Sequence, residues 1–178
     1  AQTQWALIWR QFKKHKLAIS GLIVLLILYL VCVIFPGFFA PYGKFQDFEG
    51  KNLPPTKLRF FDQEGNFHLR PFVYNYKQKM DPETWEMTLT VDKSKRYPVK
   101  FLVHGKSYEL WGLFETDLHL FGTEEGGQIF LLGTEKLGRD LFSRMIYAGR
   151  ISLTIGFVGV FISLILGLVF GGISGLVG

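Results

Sequence analysis

Charged residues are absent from two long stretches of the sequence, residues 17–40 and residues 151–178. These stretches contain 24 and 28 residues, and roughly 20 apolar helical residues cross a hydrocarbon core about 30 Å thick. Each stretch therefore predicts a transmembrane helix. The first is longer than the apolar core of about 7–15 residues in a cleaved signal peptide and lacks an A-x-A cleavage site, which favours a retained span. Pro36 and Gly37 predict the end of the first helix, because proline lacks the amide that a continuing helix needs.

Cysteine occurs once, at Cys32, inside the first uncharged stretch. A single cysteine excludes a disulfide within this chain and a cysteine-based zinc or redox site. We interpret Cys32 as a small apolar residue of the span. The segment between the two stretches must therefore be stabilised by packing.

Acidic residues are absent before Asp47, whereas four basic residues precede the first uncharged stretch: Arg10, Lys13, Lys14 and Lys16. By the positive-inside rule, this asymmetry predicts a cytoplasmic N-terminus and places residues 41–150 outside. The other 16 basic residues share that outer segment with all 15 acidic residues. The pI of about 9.3 thus reflects a topology signal and does not indicate nucleic-acid binding.

The sequence also lacks the patterns that mark common catalytic sites. It has no Walker phosphate loop, H-E-x-x-H helix, nucleophile elbow or Cys/His cluster. Acidic pairs such as Asp81 with Glu83, and Glu124 with Glu125, are interpreted as solvated turns. We expect this chain to have no catalytic residues and to bind neither a metal nor a cofactor.

Residues 1–16 combine apolar side chains at helical spacing with the basic cluster. Trp5, Ile8, Trp9 and Phe12 recur on one side of a helix. Tryptophan favours the membrane interface and lysine favours anionic headgroups, so the pattern predicts an amphipathic helix on the inner membrane surface. A plain juxtamembrane tail is the alternative.

Residues 41–130 predict an extracytoplasmic connector followed, over residues 57–130, by a small β-rich domain. Apolar and polar residues alternate in short segments, at 58–61, 67–70, 85–91, 99–103 and 107–111. Turns are predicted at 62–66, 81–83, 92–95 and 104–106. We expect the many aromatic residues of this region to bury a core: Phe60, Phe61, Phe67, Phe72, Tyr74, Tyr76, Trp85, Phe101, Tyr108, Trp111 and Phe114.

Residues 131–150 predict an amphipathic segment at the membrane surface, helical over 132–147. Apolar residues such as Leu137 and Leu141 gather on one side, and charged residues such as Arg139 and Arg144 on the other.

The uncharged stretch that follows carries small residues at intervals of four: Gly159, Ser163, Gly167, Gly171 and Gly175. Such a stripe lets helix backbones approach closely and favours a multi-span bundle over a chance arrangement. We expect further spans in the whole protein.

Residues 133–144, GTEKLGRDLFSR, resemble the inner-membrane permeases of the oligopeptide, dipeptide and nickel family of ABC importers. That family's pattern is G-T-D-x-x-G-R-D-x-x-S-R, and Glu135 here replaces the usual aspartate. Residues 147–153 and the segment Phe39-Ala40-Pro41-Tyr42 match as well. The residues that carry the motif are Gly133, Thr134, Gly138, Arg139, Asp140, Ser143 and Arg144.

The resemblance implies a membrane α-helical fold, that of a type I ABC importer permease, seen in part and carrying the β-rich domain as an insertion. It also implies partners: a second permease subunit, two cytoplasmic ATPase subunits that bind the ATP, and an extracytoplasmic solute-binding protein. The outer segment is longer than the family's usual connector, and the cytoplasmic coupling loop is not found in the sequence. Peptides, nickel chelates and oligosaccharides remain open as the solute.

Two alternatives stay open on the sequence. A membrane-anchored receptor or sensor with an extracytoplasmic ligand-binding domain fits the two spans equally well, although it requires neither the motif nor the stripe. Within the motif, Arg139 and Asp140 could brace the external gate, contact a docked binding protein or coordinate substrate. A charged pair beside a span usually has a partner, which favours bracing.

Overall fold

The computed structural model describes residues 3–43, 50–80, 82 and 87–177. The chain divides into two compact units. One comprises Ala1–Ile34 with Ala148–Gly178, and the other comprises Phe35–Tyr147.

The first unit contains the apolar helices. Helix α1, Gln4–Lys14, is followed by α2, Lys16–Tyr29, which continues as a π-helical turn over Leu30–Ile34. The segments Lys16–Ile34 and Leu141–Leu176 are both long and apolar enough to cross a membrane. The first of them ends just before Pro36, which confirms the predicted helix end. Pro36 instead begins the short helix α3, Pro36–Phe39, where a missing amide costs nothing.

Helix α1 confirms the helical prediction for the N-terminal segment. The Trp9 and Phe12 rings stack with their centroids 5.8 Å apart, and the Lys13 ammonium lies 5.4 Å from the Trp9 ring centroid. Trp5 and Trp9 are exposed. The location of this helix on a membrane surface stays a prediction.

Helix α4, Leu141–Val177, is longer than the predicted second span because it also includes the last residues of the preceding surface segment. Within the helical unit, the Tyr29 hydroxyl donates a hydrogen bond of 3.0 Å to the Leu153 carbonyl oxygen. A Cβ added at Gly159, Gly167, Gly171 or Gly175 would meet no neighbouring atom within 4 Å. These four glycines of the stripe are therefore uncovered in the part of the chain that the structure describes.

The second unit is built on an antiparallel four-stranded sheet whose strands follow one another in the order β1-β2-β3-β4. The strands are Arg59–Phe61, Phe67–Met80, Met87–Leu110 and Phe114–Thr123. The first half of the long β3 pairs with β2, and its second half pairs with β4. The predicted turn between β1 and β2 is confirmed: the Asp62 carboxylate accepts hydrogen bonds from the Glu64 and Asn66 amides.

Two predicted turns are wrong, because β3 runs through both of them. At the first, the register passes from Val73↔Tyr97 to Asn75↔Asp92, so that residues 93–96 bulge out opposite a single residue of β2. At the second, the register shifts between His104 and Tyr108. The turn-forming residues at these places produce bulges while cross-strand pairing continues on either side. The predicted turn at 81–83 and the start of the predicted strand at 85–91 lie largely outside the described residues.

The core of this unit is small. Val73, Val99 and Ile129 form it, and four partly buried side chains pack against them: Tyr42, Tyr97, Phe121 and Leu131. Of the aromatic residues expected in a core, only Phe72 and Tyr74 are buried among those described. The expectation is wrong for Phe60, Phe61, Phe67, Phe101, Trp111 and Phe114, which are exposed. The sheet has too little covering structure to enclose both of its faces.

The segment that contains α3 is anchored on the β3–β4 hairpin. A Cβ added at Gly37 would collide with the Tyr108 ring, so only glycine permits this packing. Nδ1 of the buried His119 lies 2.8 Å from the Ala40 carbonyl oxygen, and its Nε2 lies 3.0 Å from the Lys106 carbonyl oxygen. The Tyr108 hydroxyl donates to the Leu118 carbonyl oxygen at 2.9 Å. These contacts fix residues 36–40 against the hairpin.

Candidate functional site in the motif segment

The first half of the motif is a β-hairpin, and the helix predicted over residues 132–147 begins only at Leu141. Thr134 and Asp140 form an antiparallel bridge. The Glu135 amide donates to the Arg139 carbonyl oxygen at 3.0 Å, and the Gly138 amide donates to the Glu135 carbonyl oxygen at 2.9 Å. Gly138 has a φ of 75°, the left-handed conformation that closes a three-residue hairpin loop. The prediction of a helix is wrong for residues 132–140, because Gly133 and Gly138 both have a positive φ that interrupts a helix, and Gly138 closes the hairpin loop.

The hairpin is held by a strap, which we define as residues 50–56. The Leu53 amide donates to the Thr134 hydroxyl at 2.9 Å, and that hydroxyl donates to the Gly50 carbonyl oxygen at 2.9 Å. The Thr134 amide in turn donates to the Leu53 carbonyl oxygen at 3.0 Å, and the Asn52 amide donates to the Glu135 carbonyl oxygen at 3.1 Å. Thr134 is only 4% exposed. Its hydroxyl and backbone thus serve as the common anchor of two chain segments that are distant in sequence.

Gly133 is required by the same contact. Its φ is 81°, and a Cβ at this position would collide with the Leu53 carbonyl oxygen, which is the acceptor for Thr134. Any side chain here would combine a strained backbone with displacement of the strap. The glycine that opens the motif is therefore explained by the close approach of the strap.

The charged residues of the motif form an ion-pair network around Glu135. The Arg139 Nε donates to one oxygen of the Glu135 carboxylate at 2.6 Å, and Arg144 pairs with the other oxygen. The Glu135 side chain is 22% exposed and that of Arg139 is 20% exposed. Charge-assisted hydrogen bonds of this kind are about twice as strong as neutral ones. The glutamate that departs from the family pattern therefore joins the hairpin to the first turn of α4.

Asp140 caps α4. Its Oδ2 accepts hydrogen bonds from the Ser143 amide at 2.8 Å and from the Ser143 hydroxyl at 2.6 Å, the arrangement of a helix N-cap. The Ser143 hydroxyl oxygen also accepts from the Tyr42 amide at 3.2 Å. The Tyr42 hydroxyl accepts from the Ile129 amide at 2.7 Å, which continues the network into the core of the sheet unit.

Burial raises the pKa values of two groups in this network, Asp140 and Tyr42. Asp140 is 3% exposed, and its Oδ1 has no hydrogen-bond partner among the described residues. Burial raises the pKa of the Asp140 carboxyl, and its hydrogen bonds from Ser143 lower it in part. Burial also raises the pKa of Tyr42 well above its usual range, with a further contribution from the Asp140 charge.

The structure thus brings all seven predicted motif residues into one hairpin and helix start. Five of them are buried: Gly133, Thr134, Gly138, Asp140 and Ser143. The stripe at 159–175 lies further along α4 and contributes nothing to this site.

Sequence reasoning missed the strap entirely and gave Tyr42 no role, although Tyr42 belongs to the matched segment Phe39-Ala40-Pro41-Tyr42. No group of three His, Cys, Asp or Glu side chains in the described ranges could hold a metal ion.

The raised pKa of Asp140 predicts a pH-dependent contribution to stability. The carboxyl keeps its proton to a higher pH in the folded protein than in the unfolded chain, whose pKa is near 3.8. The folded state therefore binds more protons between the two pKa values, and the contribution of Asp140 to stability falls as the pH rises through that window. The substitution Asp140→Asn, which retains a capping oxygen, should abolish this component.

The measurement is the unfolding midpoint of the purified protein as a function of pH, expressed as wild type minus Asp140→Asn. Carboxyls whose pKa is lowered, such as Asp62 hydrogen-bonded to His68 and Asp92 hydrogen-bonded to Lys77, titrate in both proteins and cancel. We expect the difference to fall as the pH rises from about 4 towards neutrality. A difference that is flat or rises over this range would contradict the burial of an ionisable carboxyl.

Comparison with known proteins finds permeases of peptide and nickel transport systems. Residues 3–55 match the family model described as the N-terminal TM domain of oligopeptide transport permease C. The di/tripeptide transport system permease protein of Pseudomonas aeruginosa is 58% identical over 52 residues, which is 29% of this chain and 17% of that protein. The nickel transport system permease protein of Escherichia coli is 51% identical over 47 residues, or 26% of this chain and 17% of that protein.

A longer alignment covers both apolar segments and the sheet. The dipeptide transport system permease protein of Bacillus subtilis is 25% identical over 168 residues, which is 94% of this chain and 30% of that protein. The chain spans less than a third of the length of these relatives, and no solved structure matches it significantly. The chain is thus similar to the permeases of oligopeptide, dipeptide and nickel transport systems, over residues 3–55 by the family match and over most of its length by the longer alignment.

Proposed function

We propose that the chain is part of the membrane-spanning subunit of an ABC importer and contributes to the translocation path for peptides or similarly sized hydrophilic solutes. The observation that carries this proposal is the family match over residues 3–55, joined in one chain to the motif at residues 133–144 and to a second apolar helix. The alternative of a membrane-anchored sensor loses its support, because the matched relatives are named transport system permeases.

The motif acts as a brace in this proposal. Its buried polar groups are directed at the strap and at the first turn of α4, as described above, and its arginines pair with Glu135. Side chains engaged in this way have little capacity left for a solute. The motif therefore fixes the position at which the second apolar helix begins, next to the external gate.

The remaining components follow from the family. A second permease subunit completes the path, and two cytoplasmic ATPase subunits bind and hydrolyse the ATP, so that this chain needs no cofactor of its own. An extracytoplasmic solute-binding protein delivers the solute. The subunit lies in the inner membrane with its N-terminus in the cytoplasm, where Lys13 and Lys14 end helix α1. ATP binding favours one of two arrangements of the bundle and thereby drives alternating access.

The test is uptake by proteoliposomes that contain the native permease with its partner permease and ATPase subunits. We expect uptake of a labelled dipeptide to require ATP and the solute-binding protein, and an importer containing an ATPase-inactive variant to take up none. A nickel chelate and an oligosaccharide, offered in parallel, distinguish the solute classes. Uptake by this subunit alone without ATP would contradict the proposal.

The stripe serves assembly in this proposal. The glycines at 159, 167, 171 and 175 meet no neighbouring atom within 4 Å, so a second helix can approach their backbone closely. The substitutions Gly167→Leu and Gly171→Leu should lower the yield of the assembled importer, because leucine separates helices that pack through glycine.

The matched control is Leu168→Ala, which removes bulk from an exposed position beside the stripe. Copurification of the partner permease with a tagged subunit measures assembly in all three variants. Equal yields for the glycine variants and the wild type would show that the stripe faces lipid and would remove its role in assembly.

A further inference from the structure

The β3–β4 hairpin ends in an apolar turn that no other described part of the chain covers. Trp111 is 52% exposed, Leu113 is 76% exposed and Phe114 is 64% exposed. We call these three residues the hairpin tip. The turn is closed by the Leu113 amide, which donates to the Leu110 carbonyl oxygen at 3.1 Å.

The backbone of the turn makes Trp111 an unusual choice. Trp111 and Gly112 have φ angles of 56° and 71°, a left-handed conformation that turns normally assign to Gly, Asn or Asp. A bulky side chain is disfavoured in this conformation. About half of the Trp111 surface is exposed and gains nothing from packing. Residues held in such conformations indicate a role for the side chain. Packing within the hairpin therefore does not account for Trp111.

Contacts within the sheet unit give the direction in which the tip points. His119, further from the tip along the hairpin, contacts the Ala40 carbonyl oxygen, whereas Tyr108, nearer the tip, covers Gly37. Along the chain, Gly37 is nearer than Ala40 to the apolar segment Lys16–Ile34. The hairpin thus runs alongside residues 36–40 and continues beyond Gly37.

The electrostatics of Tyr108 agree with this direction. Burial raises the pKa of Tyr108, and the neighbouring Tyr147 raises it further. Tyr147 belongs to the sheet unit and is its last residue before α4 continues as an apolar helix. Tyr108 thus covers Gly37, close to the residue at which the chain enters this unit, and the hairpin tip lies beyond Tyr108.

We propose that the hairpin tip inserts into the lipid–water interface of the membrane, on the side where the sheet lies. Tryptophan favours this interface, where its ring is apolar and its N–H reaches water, and the Leu and Phe side chains gain by burial among acyl chains. The cross-strand pair Glu109↔Glu115 follows immediately behind the tip and is exposed. These carboxylates stay in water and limit the depth of insertion.

The size of the tip favours lipid over a protein partner. Three side chains on one turn form a narrow wedge, whereas a stable protein interface buries about 800 Å² on each partner. The two glutamates behind the tip are negatively charged and repel anionic headgroups, so the tip does not serve to bind such headgroups. The tip would then hold the β3–β4 hairpin, and with it residues 36–40, at a fixed depth.

The test is a depth measurement by electron paramagnetic resonance on the full chain in bilayers of phosphatidylcholine with phosphatidylglycerol. Cys32 is the only cysteine, so Cys32→Ser gives a background in which a nitroxide label can be placed at Leu113→Cys or, separately, at Phe114→Cys. The control is Phe61→Cys, which is 60% exposed in the β1–β2 hairpin. The turn of that hairpin lies against the 93–96 bulge, because the Gln63 side chain donates to the Lys93 carbonyl oxygen at 3.2 Å. This bulge belongs to the half of β3 that pairs with β2, away from the hairpin tip.

Collision rates with oxygen, which concentrates in lipid, and with a water-soluble nickel chelate are compared at each label. We expect oxygen collisions to exceed nickel collisions at both tip positions and the reverse at position 61. Nickel collisions in excess at the tip would place it in water. An immobilised label with low rates for both reagents would place it against protein. Either result overturns the proposal, and neither depends on transport, so its failure is distinct from that of the proposed importer function.

Discussion

The buried hydroxyl of Thr134 is the contact on which the sheet unit depends. It accepts from the Leu53 amide and donates to the Gly50 carbonyl oxygen, and so joins the strap to the motif hairpin. A buried polar group without a partner costs about 1–3 kcal/mol, so each of these groups needs the others. Gly133 has to be glycine because the strap approaches it so closely that no side chain fits.

The start of α4 depends on this joint. The hairpin ends at Asp140, whose carboxylate caps the helix through Ser143, and Ser143 is in turn bonded to the Tyr42 amide. The Tyr42 hydroxyl reaches the Ile129 amide beside the sheet core. The segments that follow the first apolar helix and precede the second therefore share one polar network. Without this network, the small core of Val73, Val99 and Ile129 would hold these segments only weakly.

The elements that the sequence predicts well are those with a strong local signal. The apolar stretches, the helix end before Pro36 and the turn at 62–66 are all present, because each follows from composition or from turn chemistry nearby. The motif was predicted as a helix because Leu137, Leu141 and Met145 recur at helical spacing. Only contact with the strap, which is about 80 residues away in sequence, makes the hairpin the better structure.

The failures in the sheet have a similar origin. Residues 92–95 and 104–106 carry turn chemistry, but pairing with β2 and β4 keeps the strand continuous and converts the turns to bulges. The aromatic residues were expected inside because their number exceeds that of a solvated linker. Exposure of Phe101, Trp111 and Phe114 shows instead that a four-stranded sheet of this size leaves much of its surface open.

Amide hydrogen exchange on the full protein tests the role of Thr134 most directly. The variant Thr134→Val removes the hydroxyl while keeping the shape of the side chain, and Thr134→Ser keeps the hydroxyl. We expect protection of residues 50–56 to fall by about fivefold or more in Thr134→Val and to persist in Thr134→Ser, because a lost partner costs at least about 1 kcal/mol. The β2–β3 pair Tyr76↔Val91 should be unchanged in both variants. Unaltered protection of the strap in Thr134→Val would contradict the claim that this hydroxyl joins the two segments.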